Sequence, residues 1–173
     1  MKRTIILGFL ALALAVALAS PALAEEPKSI GVFGEWEAVT FAEGAGIGCY
    51  MTSDAKKTEG KYKERGKVFA YITHRPANKS FNVVTLVAGY TFKANSDVAV
   101  NIDGQKFTLF TDKDSAWARD DATDKALVQA MIKGKSMVVK GASEHDTATV
   151  DTYSLKGFSK AYAAINKACG VTP

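Results

Sequence analysis

After residue 25 the chain alternates short apolar runs with polar punctuation, and in two places the period lengthens from two residues to that of a helix. Phe33 to Phe41 predicts a first strand with Trp36 turned inward. Gly44, Gly46 and Gly48 lead into a second strand through Ile47, Cys49 and Met51. Val68 to His74 predicts a third strand that stops near Pro76, which cannot donate to a ladder. Phe81 to Ala88 is a fourth, rich in β-branched residues, with Gly89 to Lys93 extending it past a bend. Val98, Val100 and Ile102 face Phe107, Leu109 and Thr111 across an Asp103-Gly104 hairpin turn. Ala116 to Ala118 is another short strand, and Lys135–Gly141 with Thr147–Tyr153 forms a last hairpin around Ser143 to Asp146.

Two stretches are helical. In Asp121 to Lys133, Leu127, Val128, Met131 and Ile132 share one face, with Asp121 or Thr123 as cap and Gly134 just past the end. In the closing stretch, Phe158, Ala161, Tyr162, Ile165 and Cys169 recur at helical spacing. The pattern amounts to about eight or nine short strands at intervals of roughly 8 to 12 residues. Strands at that spacing with only two helices define a mainly β fold, an antiparallel sandwich rather than a parallel α/β sheet. A small closed barrel is the architectural alternative.

The amino terminus is different in kind. Lys2 and Arg3 precede an uncharged apolar run from Ile5 to Ala19, and Ala22-Leu23-Ala24 fits a small-x-small cleavage site. Residues 1–24 are therefore expected to be a cleaved signal peptide, and residues 25–173 a single exported domain with no further membrane-spanning segment. No cysteine stands at the new terminus, so no lipid anchor is expected there. The whole chain carries 22 Lys and Arg against 18 Asp and Glu, a net +4, but Lys2 and Arg3 leave with the signal, so the mature chain is about +2. That balance removes the main support for nucleic-acid binding. Two cysteines in an exported chain, Cys49 and Cys169, point to one disulfide closing a loop of about 120 residues.

Candidate chemistry is sparse. Ser143, His145, Asp146 and Asp151 include the residue types of a hydrolytic triad, but they crowd one hairpin and no Gly-x-Ser-x-Gly elbow is present. Asp112, Asp114, Asp120, Asp121 and Asp124 invite a calcium reading, yet the loop positions that need Gly and Glu hold Trp117 and Thr123. Turn and cap roles are expected for these aspartates. The polar stretch from Lys56 to Lys67 reads as a long basic loop, with Lys56, Lys57, Lys61, Lys63, Arg65 and Lys67 as candidate contacts to an anionic surface. The aromatics Phe33, Trp36, Tyr71, Phe81, Tyr90, Phe107, Phe110 and Trp117 are assigned to the core, and His74 to a local hydrogen bond.

Several phrases, taken in order, resemble the invasion-associated locus B family of exported bacterial envelope proteins. They are Phe33 to Trp36, Thr73 to Pro76, Gly89 to Lys93, Phe107 to Phe110, Ala116-Trp117, Ala130 to Gly134, and Asp151 to Gly157 with the late Cys169. The resemblance covers essentially the whole mature chain. It implies an immunoglobulin-like β-sandwich in the periplasm or at the cell surface, no known catalytic residues, and a family name taken from the invasion of host cells. The combined expectation is a non-enzymatic envelope binding or accessory protein with no cofactor, whose partner is an envelope or host-surface component. The alternatives are an enzyme acting on envelope polymer and a carrier of a small apolar ligand.

Overall fold

The computed structural model describes residues 26–172, so the expected signal segment lies outside the described residues. The elements are β1 (Lys28–Phe33), β2 (Trp36–Glu43), β3 (Gly46–Asp54), β4 (Lys57–Gly60), β5 (Phe69–Arg75), β6 (Ser80–Val87), β7 (Asp97–Ile102), β8 (Gln105–Asp112), β9 (Ser115–Trp117), α1 (Asp121–Lys133), β10 (Ser136–Ala142), β11 (Ala148–Ser154) and α2 (Phe158–Cys169). All strand pairs are antiparallel, and they join into one 11-stranded sheet in the order β1-β2-β3-β5-β6-β9-β8-β7-β10-β11-β4. The expected mainly β antiparallel fold with two helices is present. Its two layers are halves of a single hydrogen-bonded sheet.

The alternation places one residue in two inward. Ala38, Met51, Ile72, Val84 and Leu86 from one half merge with Val98, Val100, Leu109, Met137 and Tyr153 from the other in a single buried cluster. The halves meet where β3 passes into β4. Ala55 N–H donates to Val68 O (2.9 Å), while the next residue, Lys56, donates its N–H to Thr152 O (2.8 Å). One chain thus closes the sheet towards both sides.

Both helices pack on the inward side. The Asp120 side chain accepts from Thr123 N–H (2.7 Å), so the α1 cap lies one residue before the earlier of the two expected positions. Asp124, buried in the first turn, accepts from Val84 N–H of β6 (2.9 Å). In α2 the expected face of Phe158, Ala161, Tyr162 and Ile165 is buried. Phe158 meets Trp36 edge to face (4.9 Å), and Trp36 Nε1–H donates to Ser154 O (3.0 Å). Gly157, at φ 91°, lets α2 begin against β1, because a Cβ there would stand 1.8 Å from Phe33 O.

At the far end of α2, Cys169 is joined to Cys49 across 120 residues. Cys49 is the cross-strand partner of His74. His74 is wholly buried, and its Nδ1 accepts from Asn82 N–H (3.0 Å). That acceptance assigns the ring proton to Nε2, which donates to Asn166 Oδ1 of α2 (2.8 Å). Burial lowers the pKa of the ring, with the Asn166 bond opposing, and the neutral form fits both bonds. The expected local role of His74 is therefore half of its task, since the second bond reaches 92 residues along the chain.

Several expectations need correction. The predicted first strand is two strands, β1 and β2, folded at Gly34-Glu35, with Gly34 at φ 64°. The Lys56–Lys67 stretch is not all loop, because β4 pairs with β11 from Thr152↔Lys57 to Thr149↔Gly60. Gly89 to Lys93 leaves the sheet, apart from one bridge between Phe92 and Ser143. Of the aromatics assigned to the core, Trp36 belongs there, and Phe33, Tyr90 and Phe107 pack against it while partly exposed. Tyr71, Phe110 and Trp117 lie half-buried on the outward side, and Phe81 is 39% exposed.

Two outcomes follow for stability. Cys169→Ser should lower the unfolding free energy by about 4 to 5 kcal/mol in the chain-entropy account of a loop this long, read by urea titration of the oxidised protein. A loss near zero would show that the crosslink restrains little. Burial, the first cause, raises the Asp124 pKa from 3.8 to about 6, with Val84 N–H opposing and Asp121 and Asp120 adding to it. Between roughly pH 4 and 6 the folded state holds a proton that the unfolded chain releases, so this group's contribution to stability falls as pH rises through that window. Asp124→Asn, which keeps an acceptor for Val84 N–H, should flatten that slope and stabilise the protein at pH 7 by up to about 3 kcal/mol. An unchanged pH profile of the melting temperature would refute this.

Candidate functional site

Lys56 to Lys67 comprises the end strand β4 followed by a loop that returns to β5. The strand has no apolar residue and is exposed throughout, so its place depends on the ladder with β11. The loop is held by one buried side chain. Arg65 pairs bidentately with Asp151 of β11, Nη1 to Oδ1 and Nη2 to Oδ2 both at 2.7 Å, and its Nε–H donates to Ala88 O at 2.7 Å. The guanidinium stacks with Tyr62 on its own loop and Tyr90 on the connection between β6 and β7, at 5.2 and 4.8 Å from the ring centroids. Tyr90 is fixed in turn by a 2.6 Å hydrogen bond between its hydroxyl and that of Thr149. The Arg65 and Asp151 side chains are only 3% and 5% exposed. Burial pushes the Asp151 carboxyl up, and the Arg65 bonds pull against that push.

Arg65 therefore leaves the set of candidate surface contacts. It is an anchor. The structure disperses the remaining cations. Lys56 is paired with Glu35, and Lys57 with Glu59 at 2.9 Å, both pairs partly in solvent. Lys61, Lys63 and Lys67 are exposed and have no ion-pair partner among the described residues. Beside them lies an open cleft of about 390 Å³ lined by Asp54, Thr58, Tyr62, Arg65, Lys67 and Val68. Chemically, this is a cationic loop on a rigid base. It can attract and hold anionic groups by charge, with Tyr62 as an aromatic wall.

The other candidates separate. Ser143 Oγ accepts from the backbone N–H groups of His145 and Thr147 (both 3.3 Å), which is turn chemistry. The His145 side chain is 85% exposed, Asp146 pairs with Lys93, and Asp151 is engaged by Arg65. Among the described residues Ser143 Oγ bonds only to backbone N–H groups, while His145 Nε2 lies 3.9 Å from Glu144 Oε1. Of the aspartates, Asp120 caps α1, Asp124 binds Val84 N–H, and Asp114 accepts from Ser115 Oγ at 3.0 Å. Among the described residues no three His, Cys, Asp or Glu side chains converge as a metal site. Sequence reasoning missed the Arg65–Asp151 pair, whose members stand 86 residues apart. The one local signal was a lone Arg among lysines, the residue suited to bidentate pairing.

The fold defines a disulfide-closed, mainly β protein with a cationic loop at one end of its sheet. The chain belongs to the family described as invasion associated locus B (IalB) protein, which it matches over residues 36–166. Among solved structures it is similar to invasion associated protein B from Bartonella henselae. The TM-score is 0.55 at 15% identity, covering 83% of this chain and 96% of that one. At that identity the likeness concerns the fold. No curated protein matches the sequence significantly.

Removing one partner of the anchor strands a buried charge, so Arg65→Met should cost about 3 to 5 kcal/mol in urea unfolding. The double variant Arg65→Met/Asp151→Leu should lose clearly less than Arg65→Met alone. Equal losses would mean that the pair is not the anchor described.

Proposed function

We propose that this protein is an exported, non-enzymatic accessory protein of the cell envelope that binds an anionic surface through Lys61, Lys63 and Lys67. The observation that carries the reading is the Arg65 anchor, which commits one cation to the interior and thereby holds three others outward. A presented loop of this kind loses little conformational freedom on binding. The apolar amino-terminal run and the Cys49–Cys169 bond support export to an oxidising compartment, since such bonds persist there. Family membership supports the envelope setting, and a contribution to host-cell invasion is the extension that the family's name suggests.

A second reading, carriage of a small apolar ligand, draws on the open groove between α1 and α2. It measures about 370 Å³ and is lined by Ile132, Tyr162, Ala163 and Val171 together with Gln129, Ser159, Asn166 and Lys167.

The test is co-sedimentation of the mature, oxidised protein with vesicles containing anionic lipid and with anionic envelope polymer. Each juxtaposed Lys contributes about 1 kcal/mol near an anionic surface, so Lys61→Glu/Lys63→Glu should weaken binding by more than ten-fold, and added salt should do the same. Binding indifferent to both changes would rule the surface out.

A further inference from the structure

The outward side of the sheet carries a second surface that the cationic loop does not use. One cross-strand row runs Glu37–Thr52–Tyr71–Thr85–Trp117–Phe110–Asp97, read directly from the strand register. Tyr71, Trp117 and Phe110 in this row are joined by Tyr50, Phe69 and Phe41 on neighbouring outward positions. Tyr50 meets Tyr71 at 5.5 Å, Phe69 meets Tyr71 at 4.8 Å, and Phe110 meets Trp117 at 5.9 Å. Phe41 lies 5.9 Å from Tyr50 and occupies the space above its partner Gly48, where a Cβ would stand 2.1 Å from the ring. That ring therefore lies down across the sheet.

Neither helix covers this face, since Asp124 of α1 meets Val84 and Phe158 of α2 meets Trp36, both on the inward side. The six aromatics are half-buried, and their remaining exposure is shared along a single band. From β2 to β8 the band crosses five strand spacings, about 24 Å. Hydroxyl groups of Thr52, Thr73 and Thr85 stand between the rings, and Trp117 Nε1–H is already engaged by Thr85 Oγ1 at 2.9 Å.

The charges at the ends decide what fits. Arg75 stacks over Phe41 and pairs with Glu43, while Arg119 stacks over Phe110 and pairs with Asp97. Both guanidinium groups are neutralised within the protein, and Glu37 adds a carboxylate. A single-stranded nucleic acid would find rings to stack on, but both guanidinium groups along the row are already paired and only Lys67, beside Phe69 at one end, is left for its phosphates. An apolar protein surface would bury threonine hydroxyls and a carboxylate without partners.

We infer that this band is a binding platform for a neutral polysaccharide. The C–H face of a pyranose ring is attracted to the electron-rich face of an aromatic ring. Its equatorial hydroxyls can exchange hydrogen bonds with Thr52, Thr73, the tyrosine hydroxyls and Glu37. A band this long accommodates several consecutive sugar units. The platform differs from the cationic segment in chemistry and adjoins it at one end, where Phe69 pairs with Asp54 of the cationic cleft.

The experiment is calorimetric titration of the mature, oxidised full chain with neutral N-acetylglucosamine oligomers and with a soluble neutral β-glucan. Saturable binding of at least one is expected, unchanged by added salt. Tyr71→Leu and Trp117→Leu keep apolar cover but remove the ring, and each should weaken binding by about ten-fold or more, the size of one lost stacking contact. Tyr71→Phe should retain it, and melting curves on each variant confirm the fold. The platform is overturned if neither glycan binds, if both Leu variants bind like the parent, or if salt and Lys61→Glu/Lys63→Glu abolish the binding. The last outcome would assign the ligand to the cationic loop instead.

Discussion

Two adjacent backbone N–H groups, those of Ala55 and Lys56, donate to opposite halves of the sheet, and the remaining architecture depends on that divergence. A sheet with one apolar face must cover it, and eleven strands are enough to cover it with another part of themselves. The turn from β3 into β4 carries the chain from the β5 side to the β11 side, bringing Met51 and Tyr153 into one core. The helices then fill what the folded sheet leaves open. Each is fixed by a polar contact to the sheet as well as by apolar area: Asp124 to Val84 for α1, and Asn166 to His74 for α2.

The same fold separates two kinds of surface. Inward positions are consumed by the core, so the outward face and the edge are what the fold leaves exposed. At the edge, a buried Arg–Asp pair converts an otherwise floppy basic stretch into a positioned one. On the face, Tyr71 packs edge to face against Tyr50 on the neighbouring strand and against Phe69 on its own, which leaves the rings half-buried. If both proposed surfaces bind as inferred, one chain would hold a charged layer and a neutral polymer at once.

Local patterns in the sequence were enough to find most elements, because period-two alternation and helical spacing are properties of neighbouring residues. The Asp103-Gly104 hairpin and α2 are examples, and the two cysteines needed only an oxidising compartment to be paired. What escaped notice was held by distant partners. Strand β4 reads Lys-Thr-Glu-Gly and carries no strand signal of its own; β11 supplies it. β1 is broken by a register shift between Ser29 and Gly31, which obscures its alternation. Arg65 resembled its lysine neighbours until Asp151 stood opposite it. Tyr71 and Trp117 were expected inside, since an aromatic residue at a strand position gives no sign of which face it occupies until the register is known.

The bond between Cys49 and Cys169 encloses all but the first strands and the last few residues of the described chain. An exported polypeptide that emerges amino terminus first presents Cys49 120 residues ahead of Cys169. The crosslink is then a record that passage has reached residue 169, because no piece that ends before it can form the bond. Any chain interrupted before its final turn of helix stays open, with a lone thiol at position 49. Such a chain is chemically distinct from one that has reached Cys169, and thiol-disulfide enzymes can act on that difference.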